Sequence, residues 1–161
     1  PMKKIALIVA GITMALPGVA QAQEQYMELL RQDINTQKTA ILTEAMNLNE
    51  AQAEKFWPIV REYDVEGAKF ADRRLGVIKK YAANYETMND DMAKELMEES
   101  MKIDADMMKL KKDYFKKISK DLSHVEGARF LQVENFVDNL LRLQVQSELP
   151  LVQHGVSAVG S

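Results

Sequence analysis

Leu48-Asn49-Glu50-Ala51-Gln52 and Leu122-Ser123-His124-Val125-Glu126 decide the reading of this chain. Each joins a leucine to a side chain able to cap a helix, with Gln or Glu three residues beyond the cap. In that arrangement the cap oxygen accepts the N–H of the third helical residue, whose own side chain reaches back to the cap N–H. Both stretches therefore predict helix starts, at Asn49 and at Ser123.

Working outward from them, apolar residues recur at helical spacing almost throughout, and Gly and Pro are scattered between residues 23 and 147. A first helix is expected from Glu24 to Met46, with Tyr26, Leu30, Ile34, Ile41 and Ala45 on its inner side. The second begins at Asn49 and continues to Tyr85. Its stripe of Phe56, Val60, Tyr63, Gly67, Phe70, Arg74, Val77, Tyr81 and Tyr85 alternates steps of four and three, a coiled-coil-like seam. At ~1.5 Å per residue that helix is about 55 Å long. Pro58 inside it removes one backbone hydrogen bond and is expected to kink or shift the helix near Glu54. After a turn at 84–89, Asn89 caps a third helix, whose Asp90 and Asp91 suit the positive helix end. Its inner stripe is Leu96, Ser100, Ile103, Met107, Leu110, Tyr114 and Ile118. Ser123 opens a fourth, with Phe130, Val133, Val137 and Leu140 inward, ending at Glu148-Leu149-Pro150. The expectation is an all-α fold of four helices with a long antiparallel hairpin, followed by a flexible tail over residues 149–161.

The N-terminus reads as an export signal. Lys3 and Lys4 form a basic region, Ile5 to Leu16 an apolar run of about 12 residues, and Ala20-Gln21-Ala22 a small-x-small site, so cleavage is expected after Ala22. The apolar run is short of the ~20 residues that span a bilayer, so no membrane span is expected after cleavage. Residues 23–148 then form a single helical domain with one core. Losing Lys3 and Lys4 takes the formal charge from −3 to −5, which does not suggest a nucleic-acid partner. With no cysteine, disulfides, thiolate metal sites and cysteine catalysis are excluded.

Catalytic patterns are missing. The two histidines, His124 and His154, lie in a capping box and in the tail, and neither belongs to a nucleophile–base arrangement. The sequence has neither a Glu-x-x-His pair nor a glycine-rich phosphate loop. No enzyme activity and no cofactor are expected. Six methionines fall between residues 88 and 108: Met88, Met92, Met97, Met101, Met107 and Met108. Ordinary helix core is the first expectation for them, an adaptable apolar surface the second, and a copper(I) site the third. Along the third helix early carboxylates give way to lysines, which complements the helix dipole. Lys109, Lys112, Lys116 and Lys120 share a face, with Met108 and Phe115 beside it. Met108, Lys109, Lys112, Phe115 and Lys116 are therefore the candidate binding residues for unfolded chains.

The two Leu-led boxes, in a cysteine-free chain with an export signal, resemble the Spy/CpxP-like periplasmic proteins, whose signature is a twice-repeated Leu-Thr-x-x-Gln. Leu48, Asn49, Gln52, Leu122, Ser123 and Glu126 match that signature with departures: Asn49 and Ser123 replace Thr, and Glu126 replaces the second Gln. Lys55-Phe56-Trp57-Pro58-Ile59 and Ala128-Arg129-Phe130-Leu131-Gln132-Val133-Glu134 also look like a branch of exported bacterial helical proteins related to that group. The likeness covers Glu24 to Glu148. It implies an elongated, cradle-like periplasmic homodimer that acts as an ATP-independent holdase or envelope-stress protein, with unfolded or misfolded envelope proteins as partners. Two alternatives are a periplasmic metal-binding or metal-sensing protein and a non-catalytic adaptor for one folded envelope partner.

Overall fold

The structure is a computed structural model that describes residues 17–153, with side chains from residue 32 onward. The expected basic and apolar parts of the export signal, and the last eight residues of the tail, lie outside the described residues. Four α-helices and one short 3₁₀ turn make up the secondary structure of the described residues, with no strand among them. They are α1 (Pro17–Met46), α2 (Glu50–Ala83), α3 (Asp90–Asp121) and α4 (His124–Glu148), with the 3₁₀ turn at Tyr85–Thr87. The fold is all-α. The chain divides inside α1 into two units, Pro1–Ala40 and Ile41–Ser161. Among the described residues the first unit is helical, and the Thr36 and Thr39 hydroxyls back-bond to the carbonyls of Gln32 and Asn35 at 2.8 Å each. The second unit holds the core.

The boundaries follow from local chemistry. At Asn49 the capping box is complete: the Gln52 N–H donates to Asn49 Oδ1 at 2.9 Å, and the Asn49 N–H donates to Gln52 Oε1 at 3.1 Å. Asn89 Oδ1 accepts the Met92 N–H at 2.9 Å and opens α3. Ser123 Oγ accepts the Glu126 N–H at 3.1 Å and opens α4, but this box is only half made. The Glu126 carboxylate does not return the bond; its Oε2 is buried without a hydrogen-bond partner among the described residues. Before the first box, Asn47 takes a left-handed conformation (φ 46°), which a short amide side chain tolerates better than a bulky one. Leu48 and Leu122, the leucines that head the boxes, both pack against the core. α2 runs through Pro58 without a break. Pro58 and Glu54 are both exposed, so the carbonyl that loses its partner can face water.

In the second unit α3 packs against both α2 and α4. Glu62 of α2 meets Lys117 of α3, and Lys80 meets Glu95, so those two helices are antiparallel. Lys111 of α3 meets Asp138 of α4 and Asp104 meets Arg142, so that pair is antiparallel too. The apolar core gathers Leu42, Met46, Phe56, Ile59, Val60, Tyr63, Leu110, Tyr114, Ile118 and Phe130. Phe130 is fully enclosed and meets Phe56 and Tyr63 edge-on, with ring centroids 5.9 and 5.2 Å apart. Tyr63 also meets Tyr114 edge-on at 5.3 Å. Such aromatic pairs add about 0.5–1.5 kcal/mol each beyond the area they bury.

Away from this cluster, where Leu96 and Ile103 are still buried, the α2–α3 seam also carries ion pairs. Arg73 donates to Glu99 through Nε and Nη2, at 3.0 and 2.8 Å, and to Asp106 through Nη1 at 2.7 Å. Asp104 accepts from Arg74 of α2 at 2.6 Å and from Arg142 of α4 at 2.5 Å, so one carboxylate ties three helices. The hydrogen bond from Arg142, and then that from Arg74, hold the Asp104 carboxyl below its ordinary range. Tyr63 is pushed up from the ordinary phenol value, first by burial and then by the neighbouring Glu134 carboxylate, with which it shares a hydrogen bond. At the α3–α4 corner Gly127 is buried, and a Cβ built there falls 2.6 Å from Ser119 Oγ and 3.0 Å from the Phe115 ring.

Two expected inner faces are turned. In α1 Leu42 and Met46 are buried, while Ile41 is exposed and Ala45 half-buried, a rotation of one residue. The Tyr26 and Leu30 side chains lie outside the described residues. In α4 Phe130 is inward as expected, and Val133 and Val137 are half-buried, but Leu140 is exposed. Glu134 is buried instead, beside Tyr63, and Asp138 turns in to Lys111. The inner stripe expected for α3 is observed throughout, each member buried or half-buried. The tail is tethered at its start: the Tyr81 hydroxyl donates to the Pro150 carbonyl at 2.5 Å and that of Tyr85 to the Leu151 carbonyl at 3.1 Å.

Three outcomes are expected in thermal or urea unfolding. Asn49→Ala loses about 1 kcal/mol of stability, while Glu126→Ala leaves the start of α4 intact because its carboxylate makes no cap. Gly127→Ala costs on the order of 1–3 kcal/mol, and adding Ser119→Ala restores part of that loss by removing the nearest clash. Because the folded Asp104 pKa is depressed, its contribution is present above the unfolded value of about 3.9 and is lost as pH falls through the folded value. Asp104→Asn therefore lowers stability at neutral pH by about 0.5–1 kcal/mol, the range for part-exposed pairs, and flattens the acid limb of the stability profile.

Candidate interaction surface

α3 has three kinds of face. One packs on α2, one on α4, and the third looks outward. Steps of four, four, three and four residues place Met97, Met101, Ala105, Met108 and Lys112 together on that outward face, and all five are exposed. The three methionines are each more than half accessible. A row of soft, unbranched side chains in water is adaptable, since each can re-pack against partners of different shape. The expectation of ordinary helix core thus fails for these three. Met88, Met92 and Met107 are half-buried, and Met107 packs against the core.

Lysines line the same side. Lys109, Lys112, Lys116 and Lys120 are exposed and enter no ion pair among the described residues. Their neighbours in sequence behave differently. Lys111 is buried and donates to Asn135 at 2.9 Å and to Asp138, while Lys117 pairs with Glu62. One helix therefore sorts its lysines into those that hold the fold and those whose charge is open to a partner. Met108, Lys109, Lys112 and Lys116 all belong to the open face. Phe115 does not stand free with them: it is half-buried, stacks on His124 at 6.1 Å, and lies against the α3–α4 corner at Gly127. Its ring closes that corner, and His124 is an exposed first-turn residue above it.

The residues matched to the repeated signature sit where they start helices rather than on this face. Asn49 and Gln52 cap α2 behind the core-packed Leu48; Leu122 and Ser123 lead into α4. Met97 and Met101 stand four residues apart in the sequence, but their exposure depends on where α2 and α4 dock. Two shallow grooves occur in the second unit. One is lined by Ala45, Arg129, Gln132, Val133 and Phe136, and the other by residues near the N-terminus of α3 together with Val152 and Gln153. Among the described residues no group of three or more His, Asp or Glu side chains is placed to hold a metal ion, and no helix is long and apolar enough to cross a membrane. Comparison of the chain with family models, with curated proteins and with solved structures finds no match.

Proposed function

We propose that this chain is an exported, ATP-independent holdase of the periplasm that binds non-native envelope proteins through the outward face of α3 and works as a homodimer. The observation that carries this reading is the exposed row Met97, Met101 and Met108 beside four lysines with open charge. Lysines attract the acidic stretches of an unfolded chain at long range, and thioethers then hold whatever apolar side chains arrive. Binding of this kind needs no catalytic group and no nucleotide. The resemblance of the two helix-start boxes to the Spy/CpxP-like signature agrees with it.

A second reading rests on Met97 and Met101 alone. Two exposed thioethers one helical turn apart suit copper(I), so a metal-binding role is supported by that pair. Calorimetric titration of the purified chain with copper(I) separates it from the holdase reading. Recovery of one folded envelope protein at fixed stoichiometry, instead of many unfolded ones, moves the assignment to an adaptor.

The test is light scattering of an unfolding client protein without ATP. The mature chain is expected to suppress aggregation at near-stoichiometric ratios. The triple change Lys109→Glu, Lys112→Glu, Lys116→Glu weakens suppression on the order of tenfold at low ionic strength, with helicity by circular dichroism unchanged. Undiminished suppression by the variant removes α3 as the binding face; no suppression by the wild-type chain with several clients removes the holdase reading.

A further inference from the structure

α4 has an apolar face that the fold covers only at its start, where Val133 is half-buried against the core. Between Phe130 and Ser147 its only charged residues are Glu134, Asp138 and Arg142. All three are engaged inside the second unit: Glu134 is buried at Tyr63, Asp138 bonds Lys111, and Arg142 bonds Asp104. On the other side of the helix Arg129, Val133, Phe136, Leu140, Leu143 and Ser147 follow one another at steps of four, three, four, three and four. Phe136, Leu140 and Leu143 are each more than half exposed. Their flanks are Gln132, Asn139, Gln144 and Gln146, all uncharged. The groove at Arg129, Val133 and Phe136 is the first part of this strip.

The spacing selects the kind of occupant. An apolar row with a mean period of 3.5 residues fits the matching row of another helix, knob into hole. The charge pattern selects which helix. Copies of a net-acidic chain repel one another over most of their surface, but this strip is neutral along its length and can lie on its own copy without opposing like charges. Its ends carry opposite signs. Arg129 and Glu148 are exposed, and neither enters an ion pair among the described residues. In an antiparallel pairing about a two-fold axis near residue 138, Phe136 faces Leu140 of the second copy, Val133 faces Leu143, and Arg129 falls beside Glu148 at both ends. A parallel pairing sets Arg129 against Arg129 and Glu148 against Glu148.

We infer that the Val133–Phe136–Leu140–Leu143 strip of α4 is a self-association face, on which a second copy of this chain docks antiparallel about a two-fold axis. Such an interface is isologous, each copy offering the same residues, and closes at two subunits. This inference builds on the homodimer part of the function proposed above and is independent of client binding.

The experiment uses the mature chain in analytical ultracentrifugation at tens of micromolar, beside Leu140→Glu. Leu140 is exposed, so the substitution leaves the helices in place, which circular dichroism verifies. The expected result is a dimer for the wild type and a monomer of unchanged helicity for the variant. Because the chain has no cysteine, single introduced thiols report geometry cleanly. Asn139→Cys is expected to cross-link to itself, and a mixture of Gln132→Cys and Gln146→Cys chains to cross-link to each other but not to themselves. A monomeric wild type overturns both the α4 face and the homodimer reading, and a lower melting point for its Leu140→Glu variant then shows that the strip is covered by its own chain. A dimer that survives Leu140→Glu, or that lacks these cross-links, overturns the α4 face and leaves the homodimer reading standing.

Discussion

The enclosure of Phe130 between Phe56 and Tyr63 is the contact on which the rest of the second unit depends. Phe130 makes the ring contacts by which α4 reaches α2, although α3 is the helix packed against both. Placing it there fixes the rotation of α4. Glu134, one turn further on, must then enter beside Tyr63, and Asp138 must find Lys111. A buried carboxylate is costly unless bonded. The position of the aromatic ring therefore accounts for the polar groups that follow it along the helix. It also leaves Phe136, Leu140 and Leu143 pointing away from the core.

The interior of this unit is graded. Near the turn between α3 and α4 it is apolar and aromatic, with Ile118, Phe56 and Phe130 fully enclosed. Toward the turn between α2 and α3 the same helices are joined by Arg73, Arg74, Lys80 and their carboxylates. Part-exposed ion pairs add little net stability each, so these contacts set register more than they hold the fold. Asp104, shared by Arg74 and Arg142, does this for three helices at once.

Helix starts were the most legible part of the sequence, because a cap is decided by a few adjacent residues. Asn49, Asn89 and Ser123 all cap where the spacing places them. The α3 stripe was legible too, since an apolar residue stands at nearly every inward position. What local pattern cannot show is which way a helix turns when both sides carry apolar residues. α4 offers Val133 and Leu140 to one side of Phe130, and Glu134 to the other, and Tyr63, the partner that favours burying Glu134, lies some 70 residues away on α2. The same limit applied to the candidate surface. Met97, Met101 and Met108 have no mark that separates them from Met107 until the docking of α2 and α4 leaves one outside and the other against the core. The incomplete second box depends on a side-chain choice at Glu126 that no spacing rule encodes.

The gradient along the α2–α3 hairpin also bears on how its two ends fluctuate. Backbone amides around Phe56, Tyr63 and Ile118 sit under close-packed rings and exchange with solvent only when the whole unit opens. Those around Lys80 and Glu95 are guarded by ion pairs that added salt screens. Ionic strength therefore acts on the tip of the hairpin more than on its aromatic base.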